Sequence, residues 1–298
     1  MVTTAVQMVI SEDTDPESGD WLSLDWSPWL SLDPDDGDLS TLSTEEGLYR
    51  VRHPAYDHLV YIGETGRSIR GRVQALARGT YASEMPYRDP HTAAPCLWAI
   101  NDEHGPDFEV SVATPERATE KQDRKATEEA LIALHRREFE RSPVANFGRI
   151  IPGYRQSGYS SDGFVGGPLP EGETESNSEP GVGPLQWTDW QEPLATEWMG
   201  LDWSEPDSLA DAYQQVPKQP GVYRIWQPDE PEPLEYIGES KTLRNRLYRH
   251  RRNRDGELRF SFAPLSEEFE AAHKRDEIET DLLGAHYLAC EQAPRDQF

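Results

Sequence analysis

GLYRV at residues 47–51 and LVYIGET at residues 59–65, separated by a short stretch holding Pro54, carry the reading of this 298-residue chain. Both runs are short and rich in β-branched and aromatic residues, so they predict a β-hairpin turned in the proline-containing stretch. The pair returns downstream as GVYRI at 221–225 and LEYIGES at 234–240, displaced by 174 and 175 residues. Working outward, IRGR at 69–72 is matched by LRNR at 243–246, and VSVA at 110–113 by FSFA at 260–263. Glu128-x-x-Leu131-Ile132-x-x-His135 is matched by Glu279-x-x-Leu282-Leu283-x-x-His286, and Pro143-x-x-Asn146 by Pro294-x-x-Gln297, both displaced by 151 residues. Even LSLDWS at 22–27 has a partner, MGLDWS at 199–204. Blocks that recur in one order predict a tandem duplication.

Each copy predicts a small antiparallel three-stranded sheet flanked by helices, an α/β arrangement of the α+β kind. VSVA and FSFA supply the third strands. Ile69, Val73 and Leu76, and likewise Leu243 and Leu247, are spaced for an amphipathic helix after each hairpin. A longer helix is expected over 126–139 and again over 269–288, with His135 and His286 packing along it. The copies are placed at 40–151 and 218–298, with acidic, Trp-rich arms at 1–39 and 186–217. Residues 152–185, rich in Gly, Pro, Ser and Glu, predict a flexible linker. Seven of the nine tryptophans lie in the arms, among carboxylates that would repel phosphate, so they are expected to dock on the neighbouring body rather than stack on bases.

The formal net charge of −26 argues at first against a polyanionic partner. Its distribution reverses that. Residues 1–39 hold ten acids and no base, and residues 152–217 hold twelve acids and one base, so the repeat bodies are nearly neutral. Within them, 241–254 carries Lys241, Arg244, Arg246, Arg249, Arg251, Arg252 and Arg254 and no acid, and 66–83 carries Arg67, Arg70, Arg72 and Arg78 and no acid. In an acidic chain such stretches predict where a polyanion would lie. Only five of the 29 bases are Lys, a composition that resembles cytoplasmic proteins of extreme halophiles. Cys96 and Cys290 stand far apart and are expected to be free thiols in a reducing compartment. The apolar stretch 5–10 lacks a basic flank and no apolar run is long enough to span a bilayer, so a cytoplasmic protein with no membrane partner is expected.

Gly-(Leu/Val)-Tyr, then Tyr-Ile-Gly, then Arg, Glu and Asn in that order resembles the GIY-YIG nuclease superfamily, over residues 47–146 and again over 221–297. The resemblance implies a DNA endonuclease that hydrolyses phosphodiester bonds with Mg²⁺ or Mn²⁺. By that resemblance Tyr49 and Tyr61 would position or deprotonate the attacking water, Arg72 would hold the scissile phosphate, Glu128 would ligate the metal and Asn146 would orient the site. The counterparts are Tyr223, Tyr236, Arg246, Glu279 as metal ligand, and Gln297.

The copies differ. His250 follows Arg246 by four residues, on the same helix face, where homing-type members of the family place a His. Copy one has Leu76 there and offers His91 from the polar stretch 85–91. Copy one keeps Asn146 and the longer Arg-to-Glu spacing, 56 residues against 33, so it is expected to be the catalytic copy. Two sites in one chain would act as an intramolecular pair. The alternative is a non-catalytic nucleic-acid-binding or scaffold protein with one or both copies degenerate.

Overall fold

The computed structural model describes residues 15–35, 38–211 and 215–298. The chain divides into two compact units: the described residues through Arg124 with Ser142–Pro180, and Lys125–Arg141 with Gly181–Phe298. No helix among the described residues is long and apolar enough to cross a membrane.

The first unit is built on β1 (Leu30–Ser31), β2 (Gly47–Arg52), β3 (Tyr61–Thr65) and β4 (Glu109–Ala113), in the order β1-β4-β2-β3. All pairings are antiparallel, and Tyr49 sits between Gly63 on β3 and Val112 on β4. Helix α1 (Ile69–Thr80) starts at Ser68, whose hydroxyl accepts from Gly71 N at 3.2 Å, and buries Ile69, Val73, Leu76, Ala77 and Thr80 against the sheet. Helix α2 (Ala94–His104) has no equivalent in the second copy, and it accounts for much of the longer Arg72-to-Glu128 spacing.

The second unit repeats the plan with β7 (Asp207–Ser208), β8 (Gly221–Trp226), β9 (Tyr236–Ser240) and β10 (Arg259–Pro264), ordered β7-β10-β8-β9. Helix α4 (Leu243–Asn253) buries only Leu243 and Leu247. Each sheet thus has four strands, not the expected three. The added strand comes from the acidic arm, where two residues are enough to pair the open edge of β4 or β10.

A shared device seats the arms. Arg50 on β2 and Arg224 on β8 are buried, and each gives its guanidinium to arm carbonyls, of Pro16, Glu17 and Ser18 in one case and of Pro193, Leu194 and Ala195 in the other. The guanidinium carbon lies 4.2 Å from the ring centre of Trp26 or of Trp203, respectively. Burial lowers Arg50 to about 10 and Arg224 to about 9. Trp21, Trp26, Trp198 and Trp203 are buried, so the arms do contribute core.

The expected flexible linker is ordered through 152–180. Strands β5 (Tyr154–Arg155) and β6 (Gly167–Pro168) pair, Tyr154 is buried with its hydroxyl 2.8 Å from Asp102, and Gly158 O accepts from Arg88 N at 3.0 Å. Hydrogen bonds, which composition does not register, replace the missing apolar anchors.

Helix α3 (Lys121–Phe139) runs from the first unit into the second. There it packs on α5 (Ala272–Cys290) at Gly284, where a Cβ would stand 2.5 Å from Ala133 Cβ and 2.9 Å from Glu129 O. Arg136 is fully buried in this contact, with Nε 2.8 Å from Asp281 and NH1 3.6 Å from Glu277. The boundary therefore falls inside the first copy's own helix rather than after residue 151.

Candidate active site

Pairing the GLY strand with the YIG strand puts two tyrosines over one glycine. A Cβ on Gly63 would lie 2.6 Å from the Tyr61 ring and 2.8 Å from the Tyr49 hydroxyl; one on Gly238 would lie 2.3 Å from the Tyr223 hydroxyl and 2.8 Å from the Tyr236 ring. These glycines do more than end a strand. They leave the space into which the tyrosines lean.

In the second unit the ring centres of Tyr223 and Tyr236 are 6.0 Å apart, and His250 from α4 faces both, at 5.2 and 4.8 Å. His250 Nε2 is 2.8 Å from the Tyr223 hydroxyl. Arg246 reaches the same oxygen through Nε at 2.9 Å and the Tyr236 hydroxyl through NH2 at 3.2 Å. Glu279 on α5 completes the group electrostatically, acting on Tyr223 and being acted on by Arg246. Burial, then Glu129, Glu239 and Asp276, push the Glu279 carboxyl well above its ordinary value. Burial raises the Tyr223 phenol, with Tyr236 adding and Arg246 opposing, so it is a neutral phenol at physiological pH. Burial, then Arg254 and Arg246, lower His250 to about 4, so its ring is neutral.

The first unit repeats this with a different source of histidine. His91 enters from the 85–91 loop and is buried, with Nε2 2.7 Å from the Tyr49 hydroxyl and its ring 5.5 Å from Tyr61. Arg72 Nε lies 3.4 Å from the same hydroxyl, but its NH1 is taken by Pro90 O at 2.5 Å. Tyr49 and Tyr223 are both fully buried and Arg72 and Arg246 both half-buried, so the copies differ at His91 and Tyr61, which are buried, against His250 and Tyr236, which are half-buried. The loop is tied down by Asp89, which accepts from Ser160 N at 2.6 Å and from Ser160 Oγ at 2.5 Å. Glu128 stands on the part of α3 that belongs to the second unit.

Asn146 and Gln297 serve the backbone. Asn146 accepts from Ile62 N at 3.0 Å and donates to Ile62 O at 2.8 Å, and Gln297 accepts from Ile237 N at 3.0 Å. Both hold the free edge of the YIG strand, the longer Gln side chain replacing one of the two Asn bonds.

The arginines proposed for DNA separate into two sets. Arg70 and Arg244 are equivalent and cap carbonyls, of Leu42 at 2.8 Å and Val216 at 2.6 Å. Arg254 is bound to Asp296 at 2.7 Å and to His250 Nδ1 at 3.0 Å. Lys241 lies 3.8 Å from Glu270. Arg67, Arg78, Arg249, Arg251 and Arg252 are exposed.

Sequence reasoning missed a second matched pair. Arg124 lies 2.7 Å from Glu64, and Arg275 ion-pairs with Glu239, so both copies bind the acid that follows YIG to the helix turn ahead of Glu128 or Glu279. The offsets of 151 and 175 residues already align these residues, and tracing them would have found the pair.

Among the described residues no group of three or more His, Cys, Asp or Glu side chains is placed to hold a metal ion. A cation here would take Glu279 as a protein ligand. The donor is of the right kind, a hard carboxylate oxygen crowded by other acids, where a divalent cation relieves the repulsion that otherwise favours protonation. No family model, curated protein or solved structure matches the chain.

Proposed function

We propose that this protein is a metal-dependent endonuclease of the GIY-YIG type acting on DNA, with the second copy as the cutting site and the first copy closed. The observation that carries the proposal is the Tyr223–Tyr236–Arg246–His250 cluster beside Glu279, assembled within one unit and half-open to solvent. The kept Asn146 and the longer spacing favoured the first copy; its Arg72 is engaged by Pro90, and its His91 and Tyr61 are buried where His250 and Tyr236 are half-buried, which favours the second.

In this reading Arg246 offers positive charge to the scissile phosphate and Tyr223 and Tyr236 hold the oxygens around it. Tyr223, neutral at working pH, positions the attacking water through its O–H rather than taking its proton. Water forms the new P–O bond and gives its proton to bulk solvent, while the bond to the leaving deoxyribose oxygen breaks and that oxygen takes a proton from solvent. Glu279 would hold a Mg²⁺ or Mn²⁺ ion, which when bound would offset charge building on that leaving oxygen. The exposed Arg249, Arg251 and Arg252 on α4 supply backbone contacts.

The test is cleavage of supercoiled plasmid and branched DNA with Mg²⁺, Mn²⁺ or EDTA, from low to molar KCl, comparing wild type with Glu279→Ala and Glu128→Ala. Metal-dependent cutting abolished by Glu279→Ala and kept by Glu128→Ala supports the proposal. The reverse pattern would return catalysis to the first copy. Binding without any cutting by folded protein would leave the non-catalytic alternative.

A further inference from the structure

We infer that Arg254 is a positioning residue: its guanidinium fixes His250 with the ring proton on Nε2 and aims that proton at the Tyr223 oxygen, instead of contacting phosphate. Arg254 Nε lies 3.0 Å from His250 Nδ1. A guanidinium has donors only, so Nδ1 is the acceptor, and on a neutral ring the hydrogen then resides on Nε2. That nitrogen is 2.8 Å from the Tyr223 oxygen, which also accepts from Arg246 Nε at 2.9 Å. With two donors on the oxygen, the Tyr223 hydrogen is turned away from His250 and Arg246.

Arg254 is built for this place. Asp296 holds its NH1 at 2.7 Å and Glu235 stands 3.9 Å away, while the guanidinium carbon lies 5.1 Å from the Tyr236 ring centre. Only 13% of the side chain is exposed. Arg249 and Arg252 in the same basic run are exposed and make no ion pair among the described residues, which is what a phosphate contact requires.

The first copy reaches the same state by other means. Ala93 N donates to His91 Nδ1 at 3.2 Å, leaving Nε2–H facing Tyr49 at 2.7 Å, with Arg72 Nε 3.4 Å from that oxygen. A backbone amide in one copy and a guanidinium in the other set the same tautomer, on imidazoles carried by a loop and by a helix. As an aid to hydrolysis the role of Arg254 rests on the function proposed above, but the tautomer is a property of the folded chain alone.

Long-range ¹H–¹⁵N spectra of the full chain labelled at histidine, with His250 assigned through His250→Gln, test it. Wild type should show a single tautomer with Nε2 protonated and Nδ1 a bare acceptor. Arg254→Met should release the ring to averaged tautomer shifts, and Arg254→Lys, which keeps a donor, should restore the wild-type pattern. In parallel, Arg254→Met should leave the salt slope of DNA binding unchanged, whereas Arg249→Ala should reduce it by about 1. A proton on Nδ1 in wild type, an unchanged ring pattern in Arg254→Met, or a slope lowered by about 1 in that variant would each overturn the inference. The wild-type spectrum decides the tautomer even where Arg254→Met does not fold. If wild type binds no DNA at any salt, the nuclease reading fails, and the spectra still decide whether Arg254 sets the tautomer.

Discussion

The Tyr49 hydroxyl lies 2.7 Å from Nε2 of His91, inside a site that the 85–91 loop has closed over. In the equivalent contact of the second copy Tyr223 is also buried, but His250 is half-buried. Equivalent substitutions should therefore read out differently. His91→Ala strands a buried hydroxyl and should cost about 1–3 kcal/mol in urea unfolding while leaving the cleavage rate near wild type. His250→Ala should slow cleavage by about 100-fold or more with a smaller loss of stability. Loss of cleavage with His91→Ala and retention with His250→Ala would reverse the assignment of the open and closed sites.

Gly238 allows Tyr223 and Tyr236 to lean together, since a Cβ there would come within 2.3 Å of the Tyr223 hydroxyl. Gly238→Ala should displace that ring, costing about 1–3 kcal/mol in thermal or urea unfolding and moving Tyr223 out of reach of His250 and Arg246. Gly256, at φ +94° with open space around it, is the contrasting case, because there any loss in Gly256→Ala comes from backbone strain and cleavage should survive.

Arg136 couples α3 to α5. Its Nε and NH2 lie 2.8 and 3.1 Å from Asp281, and Glu277, also fully buried, accepts from Val182 N at 2.6 Å. Removing the cation leaves two buried carboxylates, so Arg136→Met should destabilise the second unit by about 3–5 kcal/mol, measured by urea unfolding. For the same reason a fragment of residues 181–298, which lacks α3, should fail to give a cooperative circular-dichroism melt, whereas one of 120–298 should regain it. A cooperative melt of the shorter fragment would show that α3 is dispensable.

The hairpins, third strands, both long helices and the Tyr-Arg-His clusters were legible because each rests on a local pattern or a fixed spacing, doubled by the repeat. His250 followed from being four residues beyond Arg246. His91 was legible only as a polar stretch able to enter the site, since nothing local fixes where a loop histidine goes. The two-residue strands β1 and β7 carry no periodicity and exist only because an edge was open to pair. Arg50 and Arg224 carry no local signal of their role, because their partners are carbonyls of the acidic arms, distant in sequence. Basic runs misled most: Arg70, Arg244 and Arg254 look like phosphate contacts in sequence and are internal donors in the fold.

His286 gives the chain an acid-sensitive element whose sign is fixed by geometry. Leu234 N donates to His286 Nε2 at 3.0 Å, a bond that only the neutral ring can accept, and burial lowers this buried histidine to about 4. In the unfolded chain it returns to about 6.5. Above that value both states are neutral and His286 adds no pH dependence. As pH falls from about 6.5 to about 4 the unfolded state takes a proton that the folded state refuses, so stability is lost, by about 3 kcal/mol once the folded value is passed. Glu129 works the other way, because burial raises it to about 7 and the folded state binds its proton first as pH falls. The contribution of His286 is therefore best taken as the difference between wild type and His286→Gln, followed by urea unfolding from pH 7.5 to 4. Wild type should lose stability relative to the variant as pH drops through this window, and parallel curves would mean that His286 accepts its proton in the folded state.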